Sequence, residues 1–118
     1  MKKITGLSVV ILALILILCR CENLELNVEV PGCVEKEIIK IKKEGIRNPP
    51  AKVWKWEVGG KTYYYITSDC CDQYNYLYDN NCNRVCAPDG GISGDGDGNC
   101  PDFNGQIKKM LVWEDDRQ

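Results

Sequence analysis

The chain has 118 residues, 44% hydrophobic and 27% charged, with a formal net charge of −2, 8 cysteines and no histidine. This is enough for one small domain. The missing histidine excludes serine and cysteine triads and most catalytic zinc sites, because imidazole is their usual base and ligand.

Met1, Lys2 and Lys3 give a basic start, and no charged residue occurs from Ile4 to Leu18. An apolar run of about 15 residues is shorter than the ~20 that span a bilayer, so residues 1–18 read as an export signal and not as a permanent transmembrane helix. The run ends in Leu16, Ile17, Leu18 and Cys19. That ending resembles the lipobox of bacterial lipoproteins, in which the cysteine thiol is alkylated with diacylglycerol and the peptide is cut just before it. Leu18 departs from the small residue usual at its position. The resemblance implies a lipid on Cys19, a membrane partner through that anchor, and a location in the bacterial cell envelope.

Residues 19–32 read as a tether or edge strand, with Leu24, Leu26, Val28 and Val30 alternating until Pro31 and Gly32 end the pattern. From Cys33 the period changes to that of a helix. Val34, Ile38 and Ile41 recur on one face, Glu35 and Glu37 lie in the first turn, Lys40, Lys42 and Lys43 lie in the last, and Gly45 is the expected stop. Pro49 and Pro50 forbid continuation. KVWKWEV and KTYYYIT flank Gly59 and Gly60, a hairpin signal, because glycine accepts the positive φ of a tight turn. Trp54, Trp56 and Val58 share a strand face, and Tyr64 and Ile66 are expected beside them on the core side. YNYLYD and NRVCA flank a turn from Asp79 to Cys82, and Ile107 to Trp113 reads as a last strand. Residues 33–118 thus form a single α+β domain: one N-terminal helix packed on a small antiparallel sheet of four or five strands, stapled by disulfides.

With Cys19 lipidated and Cys21 unpaired or modified in the tether, Cys33, Cys70, Cys71, Cys82, Cys86 and Cys100 are left to form three disulfides, as suits an exported chain. Their connectivity stays open. The adjacent pair Cys70–Cys71 is set aside because a vicinal bridge is strained. Short loops favour Cys86 with Cys100 and Cys70 or Cys71 with Cys82, leaving Cys33 for the other vicinal cysteine. No CxxC pair is present, so zinc binding and dithiol oxidoreductase chemistry lack their usual pattern.

Charge is distributed unevenly. Cys33 to Lys61 holds eight basic and four acidic residues, whereas Asp69 to Asp102 holds seven aspartates against Arg84 alone. After residue 18 the balance is 13 basic to 17 acidic, which would repel phosphate, so nucleic acid is not expected as a partner. Asp95, Asp97 and Asn99 alternate through glycines, with Asp89 and Asp102 near in sequence, a spacing at which oxygen ligands can converge on calcium. Cys100 and Gln106 stand where an EF-hand loop needs its glycine and its bidentate glutamate. The same residues also suit a disulfide-closed turn whose aspartates cap backbone N–H groups. Tyr74, Tyr76 and Tyr78 alternate onto one face, where exposed rings could stack on a glycan or an envelope protein, or else supply core in a chain with one phenylalanine. Nothing sets two carboxylates across a cleft, so no enzyme is expected.

The segment from Leu77 to Phe103, LYDNNCNRVCAPDGGISGDGDGNCPDF, together with Cys33 at the start of a helix, resembles a family of small cysteine-containing lipoproteins common in Bacteroidota and known as a domain of unknown function. The likeness covers about Cys33 to Trp113. It rests on LYD, on the cysteine followed by Ala, Pro, Asp and two glycines, and on GDGNCPDF. It implies an envelope lipoprotein with a compact α+β domain and carries no activity. The expectation is a lipid-anchored, non-enzymatic binding or structural module. The alternatives are an inhibitor of secreted enzymes that presents Ala87 to Asp102 as a rigid loop, or a weak calcium-binding module.

Overall fold

A computed structural model describes residues 24, 26 and 28–117; residues 1–18, Cys19 and Cys21 lie outside them. Helix α1 spans Gly32–Lys43 and buries Val34, Ile38 and Ile41, the three positions its periodicity marks. Its first turn is closed by backbone alone, since Pro31 O accepts from Val34 N and Glu35 N. The helix stops without using Gly45. Glu44 is already extended, and Gly45 is not among the positive-φ residues. The cap comes from the far end of the chain. The Arg117 guanidinium donates to the carbonyls of Ile41, Lys42 and Glu44 at the helix end, where Ile41 O also accepts the Glu44 N–H.

Five strands follow: β1 (Lys52–Val58), β2 (Lys61–Ile66), β3 (Tyr74–Asp79), β4 (Arg84–Gly90) and β5 (Lys108–Glu114). They form one antiparallel sheet in the order β4-β3-β2-β1-β5. Gly59 and Gly60 turn the first hairpin with φ of 56° and 75°, as a two-residue loop of this twist requires. That loop fixes the register. Trp54 opposes Tyr65 and Trp56 opposes Tyr63, so Tyr64 and Ile66 point to the other face, contrary to the sequence expectation. Opposed residues in this hairpin are one even and one odd, and strand side chains alternate faces.

The sheet therefore has two covered faces. On one, Val53, Tyr64, Ile66 and Val112 pack with the apolar stripe of α1, and Leu24, Leu26, Val30 and Tyr78 lie against them. On the other, Trp56, Val58, Tyr63, Leu77 and Cys86 form a second core. The connection from β4 to β5 crosses this second face and lays Cys100, Phe103 and Ile107 on it. Among the described residues, no helix is long and apolar enough to cross a membrane.

Candidate functional site

The cysteines are joined as Cys33–Cys82, Cys70–Cys71 and Cys86–Cys100. The last of these is the pairing that loop length favoured. The exclusion of the vicinal pair is corrected, and so is the pairing of Cys82 with Cys70 or Cys71. Cys70 and Cys71 precede β3 whereas Cys82 follows it, and six extended residues at about 3.3 Å each hold them apart. Cys82 instead lies beside the first turn of α1, with its Cα 5.8 Å from that of Cys33.

Two groups of polar and aromatic residues gather near the start of β3. The first is interior. Asp89 on β4 accepts hydrogen bonds from the Tyr65 hydroxyl at 2.8 Å and from Asn75 Nδ2 at 2.7 Å. Asn75 Oδ1 in turn accepts from the Ser68 backbone N–H and hydroxyl. Tyr65 is stacked on Trp56, with centroids 5.3 Å apart and planes 12° apart. Burial, followed by the Asp89 carboxylate, pushes the Tyr65 hydroxyl far above its ordinary range, so it remains a proton donor. The network ties β2, β3 and β4 together on the face that the β4–β5 connection covers.

Of the five oxygen ligands expected of a calcium loop, Asp89 and Asp97 have partners for their carboxylates within the protein. Asp89 is committed to Tyr65 and Asn75. Asp97 Oδ1 accepts the Asn99 N–H at 2.9 Å, and this bond holds its carboxyl below the usual range. Asp97 N–H donates to Ala87 O and Gly96 N–H to Gly90 O, so the segment lies along the outer edge of β4. Gly96 fits there because it has no side chain. Its φ is 78°, and a Cβ would run into the Ala87 carbonyl and Pro88. Asp95 and Asp102 are exposed. Among the described residues, no three acidic or cysteine side chains sit close enough to share a metal ion.

The second group is at the surface. Tyr74, Tyr76 and Tyr78 share one face of β3, but they divide. Tyr78 packs against the core under α1, and burial raises its hydroxyl pKa. Tyr74 and Tyr76 remain outside it, with ring centroids 6.0 Å apart and tilted by 58°. Arg84 lies over Tyr76 at 4.4 Å, placed there by the register shift that sets it opposite Tyr78. The Tyr74 ring rests on Gly91, where a Cβ would strike it. Asn75 leaves no signal in the sequence, whereas Arg84 stands out as the single cation of the acidic stretch from Asp69 to Asp102 and Gly91 as the second glycine after Asp89.

These features define a small α+β domain with two cores, its second sheet face closed by its own disulfide-clamped loop. The chain belongs to the family described as a domain of unknown function, DUF6970, whose family model matches residues 39–115. The match takes in all five strands and both clusters described above. No curated protein and no solved structure matches the chain.

Proposed function

We propose that the protein is a lipid-anchored module of the bacterial cell envelope that acts by binding and not by catalysis. The observation that carries this reading is the pairing of all six cysteines between Cys33 and Cys100. Such pairing supports an oxidising, exported compartment, where disulfides form and persist. The leader ahead of Cys19 supplies the route, and a lipid on that thiol supplies the anchor, since each buried methylene contributes about 0.8 kcal/mol. The binding surface is the Tyr74–Tyr76 pair with Arg84, which presents two rings and a cation along the β3–β4 edge of the sheet. Its occupant is a glycan or an envelope protein. Cys19→Ala should move the protein from the membrane fraction to the soluble one. Tyr74→Ala with Arg84→Ala should abolish retention on an envelope glycan or protein array while leaving the fold intact. Membrane retention of the Cys19 variant, or turnover of a substrate by the wild-type domain, would count against the reading.

One observation favours a second reading, that of an enzyme inhibitor. Ile92 is 94% exposed, inside a turn closed by the hydrogen bond from Gly94 N–H to Gly91 O. A rigid loop with an apolar side chain at its tip loses little entropy on entering a protease pocket. Inhibition of a protease panel that disappears in Ile92→Asp would support it.

A further inference from the structure

The three disulfides differ in what they hold. Cys33–Cys82 joins residues 49 apart and fastens α1 to the β3–β4 turn, and Cys86–Cys100 joins residues 14 apart and clamps the covering loop to β4. A cross-link restricts the unfolded chain more as the loop it closes grows. Cys70–Cys71 joins neighbours. It closes only its own ring and connects no two elements of the fold.

Both vicinal cysteines are exposed, in the turn between β2 and β3. That turn is fastened by groups other than sulfur. Arg47, itself largely buried, donates to Thr67 O at 3.1 Å and approaches Asp69 at 3.7 Å. Ser68 N–H donates to Asn75 Oδ1 at 2.8 Å, Gln73 N–H to Cys70 O at 3.0 Å, and Gly91 N–H to Gln73 O at 3.0 Å. None of these bonds involves a sulfur atom. An accessible disulfide that staples nothing has no role in the architecture that requires it to stay closed.

We propose that Cys70–Cys71 is a redox site that exchanges two electrons with an external dithiol while the two stapling bridges stay closed. A thiolate of the dithiol attacks one Sγ, the Cys70–Cys71 bond breaks, and the released cysteine thiolate takes up a proton. The second thiolate of the reductant then attacks the mixed disulfide. This frees the other cysteine, which is also protonated, and the reductant departs as its cyclic disulfide. Two electrons and two protons have passed from the dithiol to the pair. This inference does not depend on the binding role, and it gives the turn beside Tyr74 a chemistry of its own.

The test is stepwise reduction of the folded full chain with dithiothreitol, quenched by alkylation and mapped on the six cysteines from 33 to 100. Cys70 and Cys71 should be labelled at least roughly tenfold faster than the other four, because access controls exchange. Circular dichroism should stay unchanged, and a small disulfide oxidant should restore the pair. Equal or earlier labelling of Cys33, Cys82, Cys86 or Cys100 would overturn the proposal, as would loss of the fold when the vicinal pair opens. The double variant Cys70→Ser, Cys71→Ser should melt within about 2 °C of the parent and lack the fast phase. A fall as large as that of Cys33→Ser with Cys82→Ser would contradict the proposal independently.

Discussion

The Asp115 carboxylate, 3% exposed, grips the Arg117 guanidinium two residues further on, through bonds of 2.8 Å to Nε and 2.7 Å to Nη2. The guanidinium so held is the C-terminal cap of α1, and Asp115 N–H is itself bonded to Ala51 O at the entrance to β1. Residues from the two ends of the domain thus close one another. The hydrogen bond from Arg117 keeps the Asp115 carboxyl below the usual carboxylate range, against the opposing effect of burial.

A depressed carboxyl pKa stabilises the folded state fully above the unfolded value of about 3.9, and that contribution is lost as pH falls through the folded value. Stability should therefore decline in acid, below about pH 4. Asp79, held down by the Asn83 N–H, and Asp97, held down by the Asn99 N–H, act in the same direction. Urea titrations of Asp115→Asn across pH 2–7 should show a flatter but not flat acid limb. A limb identical to that of the parent would show that the pair does not contribute.

The second face should carry as much of the stability as the helix face. Trp56 is buried there between Tyr65 and Phe103, with Lys109 over its ring. Trp56→Ala should cost about 3–5 kcal/mol in chemical denaturation. Tyr74→Ala, at a surface ring, should change it by less than about 0.5 kcal/mol.

The glycines of the covering loop should not be equivalent. Gly96 and Gly94 both have positive φ, but only Gly96 has backbone where a Cβ would go. Gly96→Ala should destabilise by about 2–3 kcal/mol and Gly94→Ala by about 1 kcal/mol, both read from urea midpoints. Equal costs would mean that the loop does not sit tightly on β4.

Because Asp89 and Asp97 already have protein partners, the melting temperature should be the same in calcium and in chelator. A rise with calcium, removed by Asp95→Ala with Asp97→Ala, would require the loop to rearrange around the ion.

Local patterns in the sequence carried much of the fold. Val34, Ile38 and Ile41 mark the buried stripe of α1, the paired glycines mark the first hairpin, and the short spacing from Cys86 to Cys100 marks their bridge. Trp54, Trp56 and Val58 do share a face of β1, but Tyr64 and Ile66 of β2 lie on the opposite one, because pairing strands by hydrophobicity alone ignores the parity that the two-residue turn imposes. Other features depend on residues distant in the chain. The Arg117 cap lies 75 residues from Lys42 and the Tyr65–Asp89 bond spans 24, so neither leaves a local pattern. Alternation placed Tyr74, Tyr76 and Tyr78 on one face. Only the position of α1 decides that Tyr78 is core and the other two are surface.

The account rests most directly on the covalent state of the protein in its own membrane, read by the intact mass of the envelope fraction after alkylation without reduction. The expected result is a chain beginning at Cys19 with added acyl groups and with Cys33, Cys82, Cys86 and Cys100 unalkylated. A chain beginning elsewhere would contradict the anchor, and alkylation at Cys33, Cys82, Cys86 or Cys100 would contradict the disulfide framework.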